Sequence, residues 1–182
     1  MNVFHVFDFD DTLVRSDARV VITGVDGSTK ELSSEDYASY VPSKGEVEDF
    51  SDFDTYPRNA EIIESVFTEL KAAIATSGIE NVVILTARSN PDPVRLFLKV
   101  NDIDPVQVVA VGSSNPMDKA KYILQRLNSD KTIDEVVVFE DNVRNIRTIR
   151  RVIDKTGVNL STNRVKNGLL QRGYLSSGKG NE

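Results

Sequence analysis

Three aspartates follow the first apolar run of the chain, and their types and spacing are suited to chemistry. Asp8, Asp10 and Asp11 come directly after the β-branched and aromatic residues 3–7. Asp8 and Asp10 are two residues apart, so in an extended chain their side chains point the same way. Carboxylates gathered at one place repel one another unless a cation neutralises them. Because the chain has no cysteine and a single histidine, a hard, oxygen-preferring ion such as Mg²⁺ is the natural partner.

Such a group of residues suits phosphoryl transfer. One carboxylate can attack phosphorus and form an aspartyl-phosphate, and a second can protonate the leaving oxygen and later activate water. The phosphoryl oxygens then require positive charge and hydrogen-bond donors. Thr86, at the end of a later apolar run, could donate one hydrogen bond, and Lys119 could supply the charge.

The hydrophobic pattern indicates which elements position these residues. Short runs rich in β-branched residues, typical of buried parallel strands, occur at residues 3–7, 82–85, 106–111 and 136–139. Apolar residues with helical spacing occur at residues 62–74, 94–100, 122–127 and 143–153. Strands that alternate with helices predict a Rossmann-like three-layer α/β sandwich with a parallel central sheet.

Apart from Lys119, which lies near the start of a predicted helix, the candidate residues follow predicted strands. In open parallel sheets, ligands bind beyond the carboxyl ends of the strands. Besides the aspartates after the first strand, the residues at these ends include Thr12, Thr86, Arg88, Glu140 and Asp141. Three strand ends therefore bring carboxylates or hydroxyls to one crevice.

Residues 19–56 interrupt the alternation of strands and helices. The Asp-Gly pair at residues 26–27 lies between β-prone runs, which is a strong hairpin signal. Ser33 or Ser34 could cap a short helix, and residues 45–54 form an acidic loop. Phe50 and Phe53 of this loop either pack inside the segment, which we expect, or contact a base as part of a lid. We interpret the segment as a small cap or flap inserted after the first strand. A last strand is expected near residues 159–165.

The length, the net charge and the hydropathy of the chain limit the class of protein that it can be. The 182 residues suit one domain over residues 1–175, with the insertion at about 19–56 and a flexible polar tail over 176–182. The net charge of −6 argues against broad, nonspecific nucleic-acid binding. Neither a membrane-spanning run nor a secretory signal is visible, so we expect a cytoplasmic protein without a membrane partner.

Four segments together resemble the sequence motifs of the haloacid dehalogenase (HAD) superfamily. Residues 8–13 read DFDDTL and resemble the first motif, and residues 85–88 read LTAR and resemble the second. Lys119 matches the lysine of the third motif in position, and residues 139–142, FEDN, resemble the fourth. The segments occur in the order of the family, across residues 3–155. An ordered set of four is far more specific than a single DxDxT.

The resemblance implies a Rossmannoid fold and a phosphatase. It implies Asp8 as the nucleophile and Asp10 as the general acid and base, with Thr86 and Lys119 completing the catalytic group. It implies Mg²⁺ held by Asp8, the main-chain carbonyl of Asp10 and the side chain of Asp141. The LTAR segment and the acidic fourth motif resemble members that act on a nucleotide or a polynucleotide end. The implied partner is therefore a phosphorylated small molecule or a nucleic-acid end.

Several roles remain open at the level of sequence. Asn145 stands where the fourth motif often has a second aspartate, and it could hydrogen-bond a metal-bound water without adding charge. Glu140 either supplies that charge or orients Lys119, and Lys121 is an alternative to Lys119. Arg88 either contacts substrate or forms a surface ion pair.

Other interpretations of these residues and of the whole protein are also compatible with the sequence. Thr12 is a further candidate substrate contact. The arginines of residues 144–151 are either a solvated helix face or a nucleic-acid footprint. A receiver-like module or a catalytically degenerate phosphate-binding protein is the alternative to an enzyme.

Overall fold

The structure is a computed structural model that describes residues 1–103 and 105–175. The strands are β1 (Val3–Phe7), β2 (Val14–Arg15), β3 (Arg19–Thr23), β4 (Thr29–Ser33), β5 (Val47–Asp49), β6 (Glu61–Ile62), β7 (Val82–Thr86), β8 (Gln107–Ala110), β9 (Glu135–Glu140), β10 (Asn159–Lys166) and β11 (Leu169–Gln171). The helices are α1 (Ser34–Ser39), α2 (Glu64–Ser77), α3 (Asp92–Val100), α4 (Pro116–Ser129) and α5 (Val143–Ile153). Single 3-10 turns cover Ser51–Asp54, Ile79–Asn81 and Asp154–Thr156. The predicted tail at residues 176–182 lies outside the described residues.

A six-stranded sheet forms the centre of the molecule, in the order β11-β10-β9-β1-β7-β8. The strands from β10 to β8 are parallel, and β11 pairs with β10 in the antiparallel sense. The predicted mixed α/β class with a mostly parallel sheet is therefore confirmed. The antiparallel edge strand was not predicted, although Asn167 and Gly168, at φ 51° and 73°, are the Asn-Gly pair that favours a two-residue hairpin turn.

Helices cover both faces of this sheet, as the alternating pattern predicts. On one face, buried residues of α2 and α3 pack against β1 and β7, and on the other face, those of α4 and α5 pack against β1, β7 and β9. All five residues of the central strand β7 are buried, which explains its uninterrupted apolar sequence. Phe7 of β1 stacks on Phe139 of β9, with ring centroids 4.6 Å apart, and we expect Phe7→Ala to cost about 3–5 kcal/mol.

The two helices that carry Lys119 and Asn145 both begin at asparagine caps. Asn115 caps α4, because its side chain accepts a hydrogen bond from the backbone N–H of Met117, and Pro116 occupies the first turn. Asn142 caps α5 in the same way through the N–H of Arg144. An asparagine cap is typically worth about 1 kcal/mol. These caps fix where each helix begins, and hence the positions of Lys119 and Asn145 one turn further on.

The insertion forms a separate three-stranded antiparallel sheet in the order β4-β3-β5, followed by the turn Ser51–Asp54. The predicted hairpin joins β3 and β4, and Ser33 caps α1. The prediction of a loop over residues 45–54 was wrong, because Val47–Asp49 pairs with β3 as a third strand. Val20, Ile22 and Phe53 form a small core of the insertion, which confirms the packing expected for Phe53.

None of the helices in residues 1–103 and 105–175 combines the length and the apolar character that crossing a membrane would require.

Candidate active site

A cavity of about 760 Å³ lies beyond the carboxyl ends of β1, β7 and β9. The central sheet contributes Asp8, Asp10 and Glu140 to its walls, and α4 contributes Lys119. The opposite wall belongs to the insertion, including Tyr37 and Phe50. The cavity therefore lies at the sheet edge where the sequence predicts ligand binding.

Asp8 is the most constrained carboxylate of this cavity. It is 6% exposed, and its backbone N–H donates to the carbonyl of Phe139 at 2.9 Å, which continues the pairing of β1 with β9 past the strand end. Lys119 Nζ donates to Asp8 Oδ1 at 2.7 Å, and Thr12 Oγ1 donates to Asp8 Oδ2 at 2.9 Å. Both oxygens thus have a hydrogen-bond donor, and the orientation of the carboxylate is fixed.

Lys119 is a buried cation shared by two carboxylates. Its Nζ also donates to Glu140 Oε2 at 2.8 Å. Burial by itself would lower the pKa of Lys119, but the carboxylates of Asp8 and Glu140 outweigh burial and raise it, so the ammonium remains charged. Lys121 is exposed on the outer side of α4. Of the two candidate lysines, the structure brings Lys119 to Asp8.

Glu140 lies between Lys119 and the start of α5. Its Oε1 accepts a hydrogen bond from the backbone N–H of Asn142 at 3.1 Å. Its side chain is buried, and burial, together with the charge of Asp8, raises its pKa while Lys119 opposes that shift. The contacts match the reading in which Glu140 orients Lys119.

Asp8, Glu140 and Asp141 form a cluster whose carboxylate oxygens lie within 4.8 Å of one another. Burial raises the pKa of Asp141 well above its ordinary value, and the charges of Glu140 and Asp8 raise it further. This repulsion is the electrostatic condition that a divalent cation relieves. An all-oxygen donor set fits a hard cation such as Mg²⁺ or Ca²⁺. The cluster could therefore hold a metal ion.

Asp10 is paired with Arg88. The guanidinium donates from Nε to Asp10 Oδ2 at 2.9 Å and from Nη2 to Asp10 Oδ1 at 2.8 Å. Arg88 Nη1 donates to the carbonyls of Phe53 and Thr55 in the insertion. Burial raises the pKa of Asp10, and the hydrogen bonds and charge of Arg88 oppose that shift. The surface ion pair considered for Arg88 is wrong, because the Arg88 side chain is 1% exposed.

The remaining candidates lie close to these residues. Thr86 is fully buried, and its Oγ1 accepts the backbone N–H of Arg88 at 3.2 Å. Thr12 contacts Asp8 rather than the open cavity, so a direct contact with substrate stays a prediction. Asn145 lines the cavity from the first turns of α5. The cavity is lined by seven of the predicted site residues, namely Asp8, Asp10, Arg88, Lys119, Glu140, Asp141 and Asn145. Thr12 and Thr86 are fully buried and do not line it.

The insertion touches the site at points that the sequence does not indicate. Ser34 donates to Asp11, and burial, as the main cause, raises the pKa of Asp11 to about 6. Arg144 Nη2 donates to the carbonyls of Ala38 at 2.9 Å and of Tyr37 and Tyr40 at 3.3 Å, at the C-terminal end of α1. Arg144 is therefore not simply a solvated residue. A helix C-terminus carries partial negative charge that attracts cations. The sequence does not indicate the contact between Arg144 and α1, because more than 100 residues separate them.

Comparisons with protein-family models, with curated proteins and with solved structures find no match for this chain.

Proposed function

We propose that this chain is a HAD-type phosphatase that hydrolyses a phosphomonoester through an aspartyl-phosphate on Asp8. The environment of Asp8 carries the proposal. Lys119 and Thr12 hold its two oxygens at 2.7 Å and 2.9 Å, and Asp10 lines the same cavity. A carboxylate whose orientation is fixed in this way loses little further freedom when it attacks phosphorus.

The first step would transfer the phosphoryl group to the protein. A carboxylate oxygen of Asp8 attacks phosphorus, the bond between phosphorus and the ester oxygen breaks, and Asp10 gives its proton to the departing alcohol. Burial raises the pKa of Asp10 despite the opposing effect of Arg88. A raised pKa makes the protonated form of Asp10 more accessible near neutral pH, which is what a general acid requires.

The second step would restore Asp8. Asp10, now a carboxylate, accepts a proton from a water molecule while the water oxygen attacks phosphorus. The bond between phosphorus and the Asp8 oxygen breaks, inorganic phosphate leaves, and Asp8 is again a free carboxylate. The same residue thus serves as acid in the first step and as base in the second.

Fixed positive charge supports both steps. Lys119 lies 2.7 Å from Asp8 Oδ1, so its ammonium stands next to the place where phosphoryl oxygens would lie, and Thr86 is the candidate hydrogen-bond donor. The carboxylates of Asp8 and Asp141 and the main-chain carbonyl of Asp10 would hold Mg²⁺. When bound, the cation would neutralise the charge of the phosphoryl oxygens.

The proposal assigns the insertion the role of a cap. Its turn Ser51–Asp54 is tied to the central domain by Arg88, whose Nη1 donates to Phe53 O, and by Ser89, which donates to Asp54. Tyr37 and Phe50 line the cavity opposite Asp8.

Release of inorganic phosphate from a panel of phosphomonoesters with Mg²⁺ tests this function. The panel comprises nucleotides, 3′- and 5′-phosphorylated oligonucleotides, sugar phosphates, phosphopeptides and an aryl phosphate. Asp8→Asn should abolish turnover of every compound, because an amide cannot form the aspartyl-phosphate. Asp92→Asn, a matched change in an exposed ion pair of α3, should leave turnover intact. Substantial Mg²⁺-dependent release by Asp8→Asn would falsify the mechanism, and a single phosphorylation without continued release would indicate the receiver-like alternative.

A further inference from the structure

A segment near the C-terminus, residues 142–175, is basic, although the protein as a whole is acidic. Residues 142–175 contain eight lysines and arginines and one acidic residue, Asp154, whereas the whole chain carries a net charge of −6. These residues form α5, β10 and β11, which neighbour one another on one side of the molecule. Concentrated charge of one sign, opposite to the net charge, indicates a surface that meets a partner of the other sign.

Three arginines of α5 form a stripe that begins at the mouth of the catalytic cavity. Arg144, Arg147 and Arg151 follow the spacing i, i+3 and i+7, which places them on one helix face. All three are exposed, whereas Ile146 and Ile149 are buried against the sheet. The stripe spans about 10 Å along the helix. Arg144 lines the catalytic cavity itself, so the stripe leads away from the candidate active site.

The stripe continues into a second groove, of about 390 Å³, between α5 and the hairpin of β10 and β11. Arg147, Arg164 and Lys166 line this groove, and Arg15 faces them. The Nε of Arg164 is buried and finds no hydrogen-bond partner among residues 1–103 and 105–175. The charge of the guanidinium nevertheless lies at the wall of the groove, which Arg164 lines.

The arginines of this surface have no carboxylate at ion-pair distance among the described residues. In the part of the chain that the structure describes, no ion pair involves Arg147, Arg151 or Arg164. The sequence of α5 contains no acidic residue. Neighbouring positive charges without partners repel one another, so the surface is electrostatically complementary to a chain of negative charges.

Negative charge lies on the insertion side of both cavities. Glu48, Asp49 and Asp54 line the catalytic cavity there, and Glu35 and Asp36 line the second groove on the α1 side. Asp11 and Asp141 also line the second groove, and Asp141 lines the catalytic cavity as well. A polyanion that entered the catalytic cavity would be repelled by the insertion and attracted by α5. A bound polyanion would therefore leave the catalytic cavity along α5.

We propose that the stripe of Arg144, Arg147 and Arg151, with the groove at Arg164, binds the phosphodiester backbone of a nucleic-acid strand whose terminal phosphate enters the catalytic cavity. This inference rests on the proposed function, and it identifies the substrate class of the same site. At a rise of about 3.4 Å per phosphate, the stripe matches about three nucleotides. A narrow track of this kind is compatible with a protein that is acidic overall.

The first test measures binding without turnover. Asp8→Asn protein is titrated into a fluorescent single-stranded oligonucleotide of about ten nucleotides with a terminal phosphate, at several salt concentrations. Arg147→Gln/Arg151→Gln, added to Asp8→Asn, should weaken binding several-fold and reduce the slope of log affinity against log salt by about 0.7 for each lost contact. Lys71→Gln/Lys99→Gln removes the same charge from α2 and α3, on the opposite face of the sheet, and should change neither quantity. If the arginine pair and the lysine pair change the affinity and the salt slope equally, the proposal is overturned.

The second test separates this inference from the proposed function. The ratio of kcat/KM for the oligonucleotide to kcat/KM for p-nitrophenyl phosphate should fall in Arg147→Gln/Arg151→Gln and stay constant in Lys71→Gln/Lys99→Gln. A constant ratio in both, with active enzyme, overturns the substrate assignment and leaves the phosphatase intact. Absence of any phosphatase activity, with stripe-dependent oligonucleotide binding, instead overturns the proposed function. An anionic membrane surface is the other polyanion to test, and binding is measured to vesicles with and without phosphatidylserine. Stripe-dependent binding to the vesicles, without binding to the oligonucleotide, overturns the nucleic-acid assignment.

Discussion

Arg88 donates two parallel hydrogen bonds to the carboxylate of Asp10, from Nε at 2.9 Å and from Nη2 at 2.8 Å. The same guanidinium donates to the carbonyl oxygens of Phe53 and Thr55. One side chain therefore holds both the candidate general acid and the insertion that closes the cavity. A bidentate fork of this type restricts the carboxylate to one plane and one direction. Arg88 is thus a positioning residue for Asp10 under the proposed mechanism.

Loss of the fork should slow the reaction most where the leaving group needs a proton. We expect Arg88→Lys, which keeps the charge but not the two parallel bonds, to lower kcat for alkyl phosphates by about 10²-fold, within the range of general acid catalysis. The loss for p-nitrophenyl phosphate should be much smaller, because p-nitrophenolate departs without protonation. Steady-state kinetics over a series of leaving groups measures the difference. An equal loss across the series would mean that Arg88 supports the fold and not Asp10.

Lys119 should be required for stability as well as for activity. Its ammonium compensates two buried carboxylates, Asp8 and Glu140, and removal of one partner from a buried ion pair typically costs about 3–5 kcal/mol. We expect Lys119→Met to lower the free energy of unfolding by this amount in urea titrations and to abolish turnover. Lys121→Met, at an exposed position of the same helix, should stay within about 0.5 kcal/mol of the wild type. Similar losses in both variants would contradict the assignment.

The features that the sequence predicts best are those set by local pattern. Residues 3–7 form β1 as predicted, because a short run rich in β-branched and aromatic residues is typical of a buried parallel strand. The choice of Lys119 over Lys121 also has a local signal. Lys119, Ile123 and Leu127 recur every four residues and are buried together, so Lys119 extends the apolar stripe of α4, whereas Lys121 points away from it.

The features that the sequence does not predict depend on distant partners. Asp10 and Arg88 are 78 residues apart, and neither position carries a local signal for the pairing. Strand β5 reads Val-Glu-Asp with two exposed residues, so no alternating pattern indicates it, and it exists because its backbone pairs with β3. The sequence places Arg144 on a polar helix face, and only the fold shows that its guanidinium donates to carbonyls at the end of α1.

Asp141 should destabilise the protein when no cation is bound. Burial raises the pKa of Asp141 well above its ordinary value, so the folded state binds its proton more tightly than the unfolded state does. Its contribution to stability is present below the unfolded pKa of about 3.9 and is lost as pH rises through the folded value. At neutral pH in EDTA, Asp141→Asn should therefore raise Tm relative to the wild type.

The cation response provides the control for this prediction. Mg²⁺ should raise the Tm of the wild type, because a ligand that binds only the folded state stabilises it, and it should shift the Asp141→Asn variant little. Asp92→Asn, at an exposed position in the first turn of α3, should behave as the wild type does. An unchanged Mg²⁺ response in Asp141→Asn would exclude Asp141 as a ligand.

His5 should make the protein less stable as the pH falls. Burial lowers the pKa of His5, with a smaller opposing effect from Glu69, and its Nε2 is 3.0 Å from Ser77 Oγ. Because the unfolded state binds the proton more tightly, stability is full above the unfolded pKa of about 6.5 and declines as pH falls toward the folded value. Urea unfolding of the wild type and of His5→Gln, between about pH 7.5 and pH 5, measures the difference. His5 is the single histidine of the chain, so the wild type should lose more stability than the variant over this interval. Parallel pH profiles would show that folding does not lower the pKa of His5.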